Sequence, residues 1–169
     1  MGTPAHVKNC RNRPMSAIAI TAEEFVGWIY HTTRDPQKFP KQYRGDIINQ
    51  LRNTSLVMTK HIYRGLNVKC KTQHDLQKIR KIQDMIFDDL TDLQALLMVV
   101  ESLRSEGFTI SMERCATLYT AVVDDFDRWV KNTKRKLKRA NDTIAEAEYL
   151  KSFGNVKRDK DGFIILKRR

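Results

Sequence analysis

The sequence predicts an all-α fold, an antiparallel up-down four-helix bundle with an irregular N-terminal arm and a C-terminal tail. Three observations predict it. Apolar residues recur in steps of three and four over long stretches, the period of an amphipathic helix. The four prolines stand at positions 4, 14, 36 and 40, so everything after Pro40 is free of that helix breaker. The stretches between periodic segments are short, which makes successive helices antiparallel neighbours. With 169 residues, 41% of them hydrophobic and 30% charged, the chain can bury one domain's core and falls outside the disordered range.

Residues 1–20 contain Lys8, Arg11 and Arg13 but little periodicity, and read as an irregular basic arm. The bundle is assigned to residues 21–139. Thr21-Ala22-Glu23-Glu24 has the form of a capping box opening a first helix. Its buried face would be Phe25, Trp28, Ile29 and Thr32, with Pro36 as the stop. A second helix is expected from Pro40, with Tyr43, Ile47, Leu51, Thr54/Ser55, Met58 and Ile62 on its apolar side and Gly65 as its end.

Thr72 caps a third helix striped by Leu76, Ile79, Ile82, Ile86, Leu90, Leu93, Leu97, Val100 and Leu103, with Gly107 as the stop. Nearly thirty residues of this pattern make a rod of about 45–50 Å. Ser111 opens a fourth helix with Cys115, Leu118, Val122, Phe126, Trp129, Thr133 and Leu137 on one side. Residues 140–169 form the tail. Within it Thr143 to Leu150 suggests a short helix and Asp159-Lys160-Asp161-Gly162 a turn. The apolar run Phe163-Ile164-Ile165-Leu166, closed by Lys167-Arg168-Arg169, should pack on its own bundle or on another chain.

Charge narrows the function. The net charge of +11 disfavours compaction by self-repulsion and calls for a polyanionic partner. It is also segregated. Residues 1–83 hold 15 Lys/Arg against 5 Asp/Glu, residues 84–130 hold 3 against 10, and residues 131–169 hold 13 against 5. In an up-down bundle the end of helix two, the start of helix three and the end of helix four share one pole. That pole collects Lys60, Arg64, Lys69, Lys71, Lys78, Arg80, Lys81, Lys131, Lys134, Arg135, Lys136, Lys138 and Arg139, with Asp75 nearly alone among them. Favourable cations at helix C-termini account for two or three of these, not thirteen. The pattern fits phosphate contact, with affinity from counterion release and little base reading. Tyr30 and Tyr63 are candidates for stacking on unpaired bases. RNA is the expected partner, with DNA as the second polyanion.

Several other chemistries are disfavoured. No run of 18 apolar residues exists to span a membrane, and no amphipathic segment is left over for its surface. Ala17 to Ile20 is too short for a signal-peptide core. Three cysteines, Cys10, Cys70 and Cys115, make an odd count without a C-x-x-C pair, which reads as reduced and cytoplasmic. Lys69 and Lys71 flank Cys70 and would lower its pKa, although an incidental thiol in a basic loop is the simpler reading.

Asp84, Asp88 and Asp92 share a helix face, but no Glu-x-x-His pair accompanies them, so a solvated face or a basic neighbour suits them better than a metal. Asp159-x-Asp161-Gly162 lacks the closing Glu of a calcium loop. None of His6, His31, His61 and His74 has Arg at the upstream spacing of the helical toxin ribonucleases, and no phosphate-cradling loop, zinc spacing or nucleophile elbow occurs. No catalytic residue, cofactor or metal ligand is therefore assigned, and a non-enzymatic role is expected.

Lys38-Phe39-Pro40-Lys41, followed by Gln50-Leu51-Arg52-Asn53-Thr54-Ser55 and Tyr63-Arg64-Gly65, resembles the four-helix-bundle family of ribosomal intervening-sequence proteins. That family includes the accessory variability determinant (Avd) proteins of diversity-generating retroelements. The resemblance covers about Glu23 to Arg139 and rests mainly on the Phe-Pro entry and the Gln-Leu-Arg run. It implies a homopentamer that binds the retroelement's reverse transcriptase and template RNA during mutagenic retrohoming. The twenty-residue arm and thirty-residue tail depart from the shorter members. Arg52 is a further binding candidate by this resemblance, although an Arg inside helix two suits an inter-subunit ion pair better. The alternatives are an intervening-sequence-type bundle and a protein-only adaptor with an acidic partner.

Overall fold

The computed structural model describes residues 16–69, 72–104 and 109–152. These form four α-helices: α1 (Ala17–Arg34), α2 (Asn49–Leu66), α3 (Gln73–Ser102) and α4 (Met112–Ser152). No strand occurs among the described residues, so the fold is all-α. At 1.5 Å per residue α3 is about 45 Å long and α4 about 62 Å.

The apolar stripes read from the sequence are the core. Phe25 and Ile29 of α1, Leu51, Met58 and Ile62 of α2, Ile86, Leu93 and Val100 of α3, and Cys115 and Val122 of α4 are all at most 2% exposed. Leu97 and Leu103 pack against this core while partly exposed. Burial pushes the Cys115 thiol up to about 12, so it is an inert core residue.

The helix ends depart from expectation in four places. First, α1 begins at Ala17, not Thr21, with Ser16 at the N-cap. Thr21 lies inside the helix, where its hydroxyl has the carbonyls of Ala17 and Ile18 and Asp125 Oδ2 as alternative acceptors. A capping box was expected there because Thr-x-x-Glu fits the motif. The earlier turn wins because Ile18 and Ala19 are buried in the core. Residues 17–20 thus belong to the first helix rather than to the arm.

Second, the run from Pro40 into α2 is not regular helix. A 3₁₀ turn at Lys41–Tyr43 leads into a π-helical turn at Arg44–Ile48. The wider turn shifts the buried face by one position, so Ile48 is 2% exposed while Ile47 is only partly covered.

Third, Gly65 is not a stop. The helix continues to Leu66 and is capped by Asn67. A Cβ on Gly65 would lie 2.5 Å from Trp129 Cη2 and 3.2 Å from Ile82 Cγ2, so the glycine lets α2 pack closely on α3 and α4. Fourth, α4 does not break near residue 140, and residues 140–152 of the expected tail continue it.

The Thr72 cap forms as expected. The Asp75 amide donates to Thr72 Oγ1 at 3.1 Å, and the Thr72 amide donates to Asp75 Oδ2 at 3.0 Å. Opening α4, the Ser111 hydroxyl accepts from the Arg114 amide at 3.2 Å. Gly107, His6, Cys10 and Cys70, the arm cations Lys8, Arg11 and Arg13, and the Phe163–Leu166 run lie outside the described residues.

Each helix packs on two others: α1 on α2 and α4, and α3 on α2 and α4. Near one end, the Arg52 Nε donates to Thr33 Oγ1 at 2.8 Å, joining the end of α1 to the start of α2. There, too, Thr109 donates its amide to the Lys38 carbonyl and its hydroxyl to that of Gln37. Phe39 of the Phe-Pro entry is 2% exposed beneath this junction.

Candidate nucleic-acid interface

Side-chain bonds locate the other end. The Tyr63 hydroxyl donates to Glu23 Oε1, tying the last turns of α2 to the start of α1. Gln83 Nε2 donates to Thr133 Oγ1 at 2.9 Å inside the core, and Thr133 in turn donates to the Trp129 carbonyl at 3.1 Å. Gln73 Nε2 donates to Asn141 Oδ1 at 2.7 Å on the surface. Residues 73–83 of α3 therefore lie beside residues 133–141 of α4. Gly65 of α2 sits on Trp129 and Ile82 at the same level.

These contacts bracket the cations singled out in the sequence. Lys60 and Arg64 lie on the last turns of α2 and Lys69 just beyond it. Lys78, Arg80 and Lys81 lie between Gln73 and Gln83. Lys131, Lys134, Arg135, Lys136, Lys138 and Arg139 lie between Trp129 and Asn141. All twelve are exposed; Lys71 lies outside the described residues. Ion pairs among the described residues join Lys38 to Asp35, His61 to Asp89, Arg104 to Glu101 and Arg128 to Asp125, and none of the twelve takes part in one. Core contacts of Trp129 and Thr133 orient α4 so that Lys131, Lys134, Arg135 and Lys138, at steps of three and four, share an outward face.

One expectation about this end is corrected. Tyr30 is not part of it. Its ring lies at the far end of α1 beneath the Arg52 guanidinium, 5.3 Å from the ring centroid. This places Arg52 in an intramolecular cation–π and hydrogen-bonded contact, beside a cleft of about 300 Å³ lined by Thr33, Gly45 and Asn49. Tyr63 does belong to the basic end, but Glu23 holds its hydroxyl. Asp75 is joined at this end by Glu23. Sequence reasoning missed Gln73, Gln83 and Asn141, whose role is to hold α3 and α4 in step. Gln83 adjoins the stripe residue Ile82, and a polar residue beside a buried stripe was the available signal.

The acidic stretch behaves differently. Asp89 Oδ2 lies 2.7 Å from His61 Nδ1. Burial raises the Asp89 pKa above the ordinary carboxylate value, and the His61 bond opposes that shift. Asp125 is 8% exposed, accepts from Thr21 and pairs with Arg128 at 2.9 Å. Asp84, Asp88 and Asp92 are exposed. No group of three or more His, Cys, Asp and Glu able to hold a metal ion occurs among the described residues. No helix among them is long and apolar enough to cross a membrane.

Compared with protein-family models, curated proteins and solved structures, the chain finds no match.

Proposed function

We propose that this chain is a non-catalytic nucleic-acid-binding protein whose basic end contacts the phosphates of RNA. The observation that carries the reading is the concentration of twelve exposed cations, none in an ion pair among the described residues, on the adjoining stretches of α2, α3 and α4. Exposed Lys and Arg without internal partners are free to displace counterions from a polyanion. The supporting arrangement is an antiparallel up-down bundle. It is favoured by the pairing of Tyr63 late in α2 with Glu23 early in α1, and by Gln73 and Gln83 of α3 meeting Asn141 and Thr133 of α4 in reverse order along the chain.

Within this reading the sequence resemblance supplies the setting. The chain acts as a cytoplasmic homo-oligomer, a pentamer by that resemblance, beside a reverse transcriptase and its template RNA in a diversity-generating retroelement. The Phe39-Pro40 entry and the Gln50-Leu51-Arg52 run support it, since Phe39 and Leu51 are both core anchors here.

The test is binding to structured RNA and to duplex DNA across a salt series. Affinity should fall steeply with salt. Changing Lys134, Arg135, Lys136, Lys138 and Arg139 together to Gln should reduce the slope of log affinity against log salt by roughly three to five, at about 0.7–0.9 for each phosphate no longer neutralised. Salt-insensitive binding, or an unchanged slope in a variant that keeps its helicity, would overturn the assignment.

A further inference from the structure

The basic end leaves one surface of the molecule unexplained. Between α3 and α4 lies a cleft of about 350 Å³ lined by Phe87, Leu90, Tyr119, Val123, Phe126 and Asp127. Phe87 is 62% exposed at its edge, and Met98 is 67% exposed three turns along the same helix. Large apolar side chains this bare mark an interaction surface. Asp127 lines it, and Asp84 and Asp88 on α3 and Asp124 on α4 are exposed on the same stretches of helix. From 84 to 127 the chain has only Arg104 and Arg114 as cations.

One segment of the chain has the matching chemistry. Phe163-Ile164-Ile165-Leu166 supplies a short apolar run, and Lys167-Arg168-Arg169 follows it directly. An apolar floor with carboxylates on the same stretches of helix suits a peptide of apolar anchors flanked by cations. Reach decides which copy donates it. From Ser152 back to Asp127, the near edge of the cleft, is 25 residues along α4, about 38 Å, and Val123 lies a further turn away. The eleven steps from Ser152 to Phe163 span at most about 36–40 Å when fully extended. The turn that the sequence predicts at Asp159–Gly162 shortens that span further. Another molecule's segment has no such constraint.

We propose that the 163–169 segment of one copy docks in the α3/α4 cleft of a second copy, linking subunits through apolar contacts and charge pairing. This inference stands apart from the nucleic-acid reading, because it uses none of the basic-end residues.

The test uses the full chain. Sedimentation velocity is run on the wild type and on an Ile164→Asp/Ile165→Asp variant, and a labelled peptide of residues 157–169 is titrated into that variant. The variant should lose an association state, and the peptide should bind it. Adding Phe87→Asp should weaken the peptide at least about tenfold, as removal of an anchor residue does. Phe87 is exposed enough for the change to leave the fold intact, which circular dichroism checks. A second labelled peptide replaces all four apolar residues by Ser and keeps the cations; it should not bind. Equal binding of both peptides would reduce the effect to charge and overturn the proposal. So would indifference to Phe87→Asp, or a wild type that stays monomeric while its own cleft excludes the peptide, which would mean docking within one chain.

Discussion

The basic end and the acidic middle of this molecule are both rich in charge, yet they treat it in opposite ways. At the basic end, Lys60, Arg64, Lys78, Arg80, Lys81 and the 131–139 cluster project outward with no ion pair among the described residues. In the middle, Asp89 and Asp125 turn inward and are held by His61, Thr21 and Arg128. The inward carboxylates join helices to one another and so act in folding. The outward cations join nothing within the described chain, and their mutual repulsion would be relieved by the polyanion proposed above. Charge that serves the fold and charge that serves a partner are thus distinguished by where the partners sit.

The largest effects should come from breaking the core beneath the basic end while leaving its charges in place. Trp129 packs against Gly65 with its rim partly exposed. Trp129→Ala should therefore cost about 3 kcal/mol, the low end for loss of a large aromatic ring. Gly65→Ala approaches the same joint from the other side. Its new Cβ meets the indole at 2.5 Å, and overpacking of this kind costs about 1–3 kcal/mol. Urea unfolding followed by circular dichroism measures both. In each variant RNA affinity should also fall at temperatures where the fold survives, because α2 and α4 would no longer hold their cations together. Full stability in Gly65→Ala would show that the three helices are not locked at this level.

A smaller effect tests the inward carboxylates. Asp125→Ala removes the buried carboxylate that links α1 to α4 through Thr21 and should cost about 1 kcal/mol in the same assay, the exposed Arg128 being resolvated. The exposed Asp88 supplies the contrast: Asp88→Ala should change stability by no more than about 0.5 kcal/mol. Equal costs at the two positions would erase the distinction between inward and outward carboxylates.

How much of this was legible beforehand follows from what each feature depends on. The apolar stripe of α3 and its Thr72 cap depend on periodicity and one local motif, both written within a few turns of sequence. The twelve basic-end cations could be grouped because short connections leave few ways to pair helices. Gly65 was misread because a glycine late in a helix has the same local signature whether it ends the helix or admits a neighbour's indole. That choice is made by Trp129, 64 positions away. Thr21 was misread for a related reason: its capping signature is genuine, but the turn before it gains burial of Ile18 and Ala19. Tyr30, late in the first helix, falls at the far end by the same up-down reading; what the local sequence did not show is that Arg52 covers its ring.

The last and smallest effect concerns pH. Asp89 is flanked by Asp88 and Asp92 on α3 and faces His61 from α2. Burial is the largest influence on it and holds its folded pKa above the ordinary value near 3.8, so the native state retains a proton that the unfolded chain has released. Stability from this residue is then greatest below the unfolded value and declines as pH rises through the folded one. Asp89→Asn keeps the size and removes the titration. The stability of the wild type relative to this variant should therefore decline as pH rises from about 3 through the acidic range, as urea denaturation at successive pH values will show. A relative stability that instead rises over that interval would mean the His61 contact outweighs burial, and that Asp89 is held as a salt bridge rather than tolerated as a buried acid.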